Sequence, residues 1–334
     1  MLKRQLGNSQ IDASVIGLGT WAIGGWMWGG TDEKESIAAI HAAIDHGIDL
    51  IDTAPAYGFG YSEMITGKAI KNRRHSVVLA TKCGLIWDQA AGEFFFDTED
   101  LTRADKPVKR KVYKYLHPDS IRRELERSLK NLETDFIDLY QTHWQDKTTP
   151  IEDTMAVLEA LRDEGKIRAI GVSNASLEQI KKYGAIDTDQ EKFSMLDRDL
   201  DRNGIIEYNQ KNNIAILAYS PLALGLLTGK IQPDRQFSSD DLRRSNPRFT
   251  SQNISKVNAI LEEFATIANQ FDLTLAQLVI AWTYHQKGIT HVLCGARNAR
   301  QAIENAHSGI AKISLSDLNV IDSILQRKIP ELTG

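Results

Sequence analysis

Asp52, Tyr57, Lys82 and His143 are the residues of this sequence whose types and spacing could do chemistry together. Asp52 closes the apolar run IDLID, and Tyr57 follows in the Pro- and Gly-bearing loop TAPAYGFGYS. Lys82 ends SVVLATK, and His143 ends DFIDLYQTH. A phenol titrates at about 10, so it gives and takes a proton at neutral pH only with help. A neighbouring ammonium favours the phenolate and lowers that pKa, and a carboxylate holds the ammonium charged and in place. A histidine beside the phenol can hydrogen-bond a substrate carbonyl or shuttle the proton. Together the four suit reversible reduction of a carbonyl, in which hydride arrives and the new alkoxide must be protonated. Asp and His could bind a metal instead, but no close His/Cys cluster accompanies them. No activated Ser or Cys stands in these positions for a nucleophilic triad. Each residue also has an ordinary use, since loop tyrosines mostly pack and a strand-end Asp often caps a turn.

Side chains so far apart in sequence meet only if their strands end on one face, as they do in a parallel barrel. Apolar runs at 15–18, 48–52, 76–81, 135–144, 167–172, 214–219 and 291–294 predict strands, and a sixth strand should lie near 187–193, where the residues are mostly polar. Between them, helices are predicted over 32–47, 63–70, 118–132, 151–164, 177–183, 205–211, 254–271 and 275–286. Thr31 or Asp32 caps the first of these. Eight strand–helix alternations without a composition break predict one (β/α)8 TIM barrel domain over 1–334. It carries an N-terminal β-hairpin at 2–13 and extra helices, among them a C-terminal helix at 316–328. A doubly wound sheet would place G-x-G-x-x-G after the first strand, and none is present. GLLTGK is one residue short of a phosphate loop, and Ile231 follows its Lys.

Two stretches resist periodicity. The loop GTWAIGGWMWGGT carries Trp21, Trp26, Met27 and Trp28 among glycines, either as core packing or as an apolar wall for a ligand. Residues 83–115 form a variable loop in which Trp87 and Phe94 to Phe96 mix with a charged run; that aromatic content predicts an ordered lid or hairpin.

The 334 residues are 42% hydrophobic and 25% charged, ample for a core, and the net charge of −4 gives no case for nucleic acid. Cys83 and Cys294 lie far apart without metal-ligand spacing and read as reduced thiols. No signal-like or membrane-length apolar stretch occurs, so a cytoplasmic location is expected, with no membrane partner.

GLGTW at 17–21, DTAPAYGFGYSE at 52–63, ATK at 80–82, DFIDLYQTHW at 135–144, GKIRAIGVSN at 165–174, AYSPLALGLLTGK at 218–230 and Glu304-Asn305 resemble the aldo-keto reductases in register along nearly the whole chain. The similarity is strongest to bacterial general-stress and vegetative-type members, with potassium-channel β-subunits as more distant relatives. The resemblance implies Tyr57 as general acid, tuned by Lys82 and Asp52, with His143 orienting the carbonyl. It implies NADP(H), bound extended without a Rossmann motif, and no metal. Ser173, Asn174 and Gln190 would hold the carboxamide, and Tyr219 would stack on the nicotinamide. Ser220, Pro221, Leu222, Gly225, Leu226 and Lys230 would line the pyrophosphate. Gly295, Arg297, Gln301, Glu304 and Asn305 would surround the adenosine end, with Arg297 on the 2′-phosphate. Gly19, Thr20 and Trp21 would complete the cofactor contacts.

The sequence departs from the family pattern at Phe193-Ser194, where a Tyr-Asn pair is usual, and at Gln301, where a basic residue is common. Trp21, Trp26, Trp28, Trp87 and Trp144 are the expected substrate-pocket residues. The implied activity is reduction of small aldehydes or hydroxy-aldehydes, reversible on small alcohols or polyols, by a monomer or weak homo-oligomer. The alternative is a slow, NADP(H)-binding regulatory subunit.

Overall fold

Strands rich in Ile, Val and Leu need cover on both faces. Here they receive it by closing on themselves inside a ring of helices. The structure, a computed structural model, describes residues 1–101 and 107–328. Residues 102–106 of the variable segment and 329–334 lie outside the described residues. The barrel strands are Ile16–Gly19, Leu50–Asp52, Val78–Cys83, Ile137–Thr142, Ile167–Ser173, Thr188–Lys192, Ala215–Tyr219 and Ile289–Gly295. They form one closed, all-parallel barrel in chain order, the eighth pairing with the first. This is the (β/α)8 TIM barrel that the alternation predicts.

The barrel interior is layered. Leu50, Val78, Ala80, Leu139, Ala169, Ala215, Leu217 and Leu293 fill its lower part together with Leu6, Ile11 and Ala13 of the N-terminal hairpin. That hairpin pairs Lys3–Gln5 with Asp12–Ser14 and plugs the N-terminal end. There the Arg4 guanidinium donates to the carbonyls of Tyr284, Ile289 and Thr290 at 3.1, 3.0 and 3.1 Å. The top layer is polar. Asp52 pairs in register with Ala80, and Lys82 with Gln141, so Lys82 stands one inward-facing position above the level of Asp52. Lys82 therefore lies inside its strand rather than at its exit.

Local chemistry places the helices. Asp32 caps Glu33–Asp45 by accepting from the Glu35 amide, which decides between the two capping candidates. Pro118 opens Pro118–Leu132 at its first turn, and Ser176 and Thr274 form capping boxes for Leu177–Tyr183 and Leu275–His285. The single helix expected over 254–271 is two helices, Ser251–Glu263 and Ala265–Gln270. Phe264 is fully buried between them, and its amide bonds the Leu261 carbonyl in a tightened turn. No helix among the described residues is long and apolar enough to cross a membrane.

The variable segment is a three-stranded antiparallel sheet, Leu85–Ile86, Glu93–Asp100 and Val108–Lys114. Its sequence hides the strand period because a bulge interrupts the register between Phe94 and Phe96. Phe95 and Phe96 consequently both pack inward, with Phe59, Trp87 and Trp144, while Phe94 is 51% exposed.

Candidate active site

Lys82 has no solvent exposure, so its three ammonium protons need three acceptors. It finds them in Asp52 Oδ1 at 2.6 Å, the Thr53 carbonyl at 2.9 Å and the Tyr57 hydroxyl at 3.3 Å. Register between the second and third strands brings Asp52 and Lys82 together, and the turn after Asp52 carries Tyr57 back over them. That turn is tight: a Cβ at Gly58 would stand 2.3 Å from the Gly24 carbonyl oxygen, and φ there is +65°. His143 follows the fourth strand, its amide bonded to the Cys83 carbonyl, and its ring meets Tyr57 edge-on with centroids 5.6 Å apart. The four residues expected to act together are together.

Electrostatics in this cluster differ from the expectation in one respect. Lys82 was expected to make the phenol acidic. Instead burial, and after it the Asp52 carboxylate, push the Tyr57 pKa well above its usual value of about 10. Burial outweighs the ammonium, and Asp52, 2.6 Å from that ammonium, adds a negative charge beside the phenol. Burial lowers the Lys82 pKa against the opposing pull of Asp52. Burial, then Lys82, lower His143 well below 6.5, which leaves its imidazole neutral at physiological pH. The site is thus a protonated phenol beside a neutral imidazole.

Asp52 is held by more than its ion pair. Its Oδ2 accepts from the Gln190 side-chain amide at 2.9 Å and from that of Gln141 at 3.3 Å. Gln190 was expected on a carboxamide; its NH2 group is turned to Asp52, which leaves only its oxygen to accept from a ligand. Gln141, fully buried, was not singled out from sequence. Its position on the inward face of DFIDLYQTH, two residues before His143, was the available signal. Gly171 makes room for it: a Cβ there would lie 2.3 Å from Thr188 Oγ1 and 2.7 Å from Gln141 Cγ.

Glu191 is a second residue that the sequence did not mark. Its carboxylate accepts from the Ala175 amide at 2.9 Å and pins the turn in which Asn174 adopts a φ of +55°. Burial, then neighbouring Asp189, raise its pKa. Asn174 in turn donates to the His143 carbonyl at 2.9 Å and accepts from the Tyr219 hydroxyl at 2.7 Å.

From the tetrad a cavity of about 660 Å³ runs across the C-terminal face. Asp52, Tyr57 and His143 line it, whereas Lys82 stands behind them. Trp21, Trp26, Trp28 and Trp144 line one end with Phe95 and Phe96. Trp26 is both wall and packing, lying 5.2 Å from Phe59 and 6.0 Å from Phe96 and donating to Thr98. Gly19, Ser173, Asn174, Gln190, Tyr219, Ser220, Pro221, Leu222, Gly225, Lys230, Gly295, Arg297, Gln301, Glu304 and Asn305 line the remainder. Three expected residues do not line it. Thr20 turns its hydroxyl to the Asp52 carbonyl at 3.0 Å, Leu226 is buried in the core, and Trp87 packs on Phe59 and under Arg127. Among the described residues no group of three or more His, Cys, Asp or Glu could hold a metal.

The far end of the cavity has room and donors for a long anionic ligand. Gly19 and Gly295 pair across the first and eighth strands, and a Cβ at either would meet nothing closer than 3.9 Å. Glycine at both positions therefore widens the floor. Most cations there are already engaged. Lys230 donates to both Glu304 oxygens at 2.7 Å, and Arg243 pairs with Asp241 at 2.6 Å. Arg297 donates to the carbonyls of Trp28 at 3.1 Å and Gly30 at 2.6 Å.

Other proteins resemble this chain in sequence and in fold. The model of the Aldo/keto reductase family matches residues 15–326. The chain is 39% identical over 335 residues to Aldo-keto reductase YhdN of Bacillus subtilis (strain 168), covering 98% of this chain and 95% of that protein. It is 40% identical over 340 residues to the NADH-specific methylglyoxal reductase of Escherichia coli (strain K12), covering 99% of each. Among solved structures, the glycerol dehydrogenase AKR11B4 from Gluconobacter oxydans superposes with a TM-score of 0.85 at 36% identity, over 98% of this chain and 96% of that one. A barrel whose strand ends assemble Asp52, Tyr57, Lys82 and His143, matched from Val15 onward by one family model, makes this chain an oxidoreductase of the aldo/keto reductase family.

Proposed function

We propose that this chain is an NADP(H)-dependent reductase of small aldehydes or hydroxy-aldehydes that runs in reverse on small alcohols or polyols. The observation that carries the reading is the threefold engagement of Lys82, which fixes the Tyr57 hydroxyl at the wall of an aromatic pocket next to a neutral His143. A bound nicotinamide supplies or takes the hydride. The protein's own part is to orient the carbonyl and move one proton. His143 and the Tyr57 hydroxyl bind the carbonyl oxygen, and Tyr57 Oη donates its proton as negative charge develops there. In the alcohol direction Tyr57 accepts that proton back, with Lys82 stabilising the phenolate.

The cavity fits such a cofactor in kind. Ser173, Asn174 and the Gln190 oxygen offer polar groups beside the tetrad, the Tyr219 ring offers a stacking surface, and Arg297 with Gln301 and Asn305 offers donors at the far end. Methylglyoxal and glycerol, after which two of the relatives are named, are small oxygen-rich molecules at the two oxidation levels that this reaction connects. Steady-state reduction of methylglyoxal and glyceraldehyde, with NADPH and with NADH, tests the reading. Sustained turnover is expected, faster or tighter with NADPH. A single turnover followed by arrest would support a regulatory binding protein instead.

A further inference from the structure

We propose that Arg297 is a positioning residue for the substrate end of the cavity: it braces the loop that carries Trp28, and through Trp28 and Trp21 it fixes the wall beside Tyr57. The kinetic arm of this proposal rests on the carbonyl-reductase reading above. The brace itself does not.

The loop after the first strand contains Gly25, Met27, Gly29 and Gly30 at φ of 75°, 65°, 72° and 79°, so it has no regular hydrogen-bond ladder of its own. Arg297 supplies a tether from outside. Its Nη1 and Nη2 donate separately to the Trp28 and Gly30 carbonyls, a two-point fork set by the fixed plane of the guanidinium. The fork stands on a fixed base, because the Arg297 amide bonds the Gln301 side chain at 2.8 Å. Opposite it, the Leu242 amide bonds the Met27 carbonyl at 3.0 Å, and Arg243 lies 5.0 Å from the Trp28 ring centroid.

From this anchored loop a run of aromatic contacts leads to the reacting phenol. Trp28 meets Trp21 edge-on at 5.5 Å, and Trp21 stacks on Tyr57 at 6.2 Å with an interplanar angle of 26°. The indole N–H groups of Trp21 and Trp28 are both buried without a hydrogen-bond partner among the described residues. Neither indole N–H sets the place of its ring, so the rings take their position from packing, from Arg243 against Trp28, and from the backbone that Arg297 holds. A guanidinium expected only on a phosphate thus also controls the substrate end of the same cavity.

The test uses the whole protein and the variants Arg297→Ala and Arg297→Lys. In the cofactor-free protein, hydrogen exchange of the Trp28 and Gly30 amides, both bonded to the Gly25 carbonyl, reads the brace directly. Exchange should quicken by about tenfold or more in Arg297→Ala, the scale of losing hydrogen bonds from a charged donor. With saturating NADH, which has no 2′-phosphate, KM for methylglyoxal should rise by about tenfold while kcat changes less. Arg297→Lys keeps the charge but not the fork. It should therefore recover NADPH binding, read by fluorescence quenching, more fully than it recovers the methylglyoxal KM. Unchanged exchange and an unchanged NADH-supported KM in both variants, with only NADPH binding weakened, would overturn the brace and leave Arg297 a phosphate contact. If the parent protein turns over no methylglyoxal with either cofactor, the functional reading fails, and the exchange result alone decides the brace.

Discussion

The two ends of the cavity handle charge in opposite ways. At the catalytic end Lys82 and Asp52 have side-chain exposures of 0% and 4% and sit on adjacent, register-locked strands. At the far end Lys230 and Glu304 are 59% and 16% exposed and come from a loop and a surface helix. Breaking one partner out of a buried pair costs roughly 3–5 kcal/mol, whereas an exposed pair contributes about 0–1 kcal/mol. The chemistry is therefore fixed by the barrel frame and is intolerant of change. The ligand-holding end is built from loops that can exchange a protein partner for a ligand group at little cost.

Variants can break or sharpen this contrast, the most damaging first. On the proposed mechanism Tyr57→Phe removes a proton needed only as charge develops on the carbonyl oxygen, so kcat should fall by roughly 10²–10⁴-fold with cofactor binding intact. Retention of more than about a tenth of the rate would remove Tyr57 from the role of general acid. Lys82→Met should do nearly as much harm and also lower thermal stability, since it strands a buried carboxylate; Asp52→Asn should do less. The opposite order would dismantle the relay. Gln141→Leu takes one donor from Asp52 but leaves Gln190 and Lys82, so a loss of roughly two- to tenfold in kcat is expected. If it proved as damaging as Asp52→Asn, Gln141 would have to touch the reacting groups.

The pH dependence follows from the same geometry. Tyr57 has its pKa raised, so the phenol keeps its proton through neutrality, and reduction should hold level between about pH 6 and 9. On the proposed mechanism alcohol oxidation needs the phenolate and should climb across that range. His143 has its pKa lowered, so no acid limb should appear near the ordinary histidine value in kcat/KM for reduction. A limb at about 6.5 that disappears in His143→Asn would show a charged imidazole in the working enzyme. The smallest effect belongs to Lys230→Ala. It should weaken NADPH only a few-fold, and less in high salt, because its ion pair is exposed and screened.

The catalytic end was legible in the sequence because strands announce themselves: an apolar run stops, and an ionisable residue stands where it stops. The same logic found Pro118–Leu132 and Leu177–Tyr183 to the residue. It blurred where local register departs from the simple period, at the bulge between Phe94 and Phe96 and at the tightened turn of Phe264. Three kinds of information were not legible. The fork of Arg297 on Trp28 and Gly30 spans nearly the whole chain and depends on backbone carbonyls, which carry no side-chain signature. The rise of the Tyr57 pKa reflects burial of the phenol and then the nearby Asp52 carboxylate, a matter of burial and distance rather than residue type. Gln141 read as one polar residue on an inward-facing strand, and only the closed barrel put it against Asp52.

Gly171 carries a consequence for anyone reshaping this pocket by directed evolution. It is not among the cavity-lining residues, so a library drawn from the visible walls would leave it out. Yet the first carbon added there would press on Thr188 Oγ1 and on the stem of Gln141, whose amide touches Asp52. Glycine at 171 is in effect an active-site choice made from the neighbouring strand. A screen that scores positions only by proximity to substrate would mistake its loss for a folding defect.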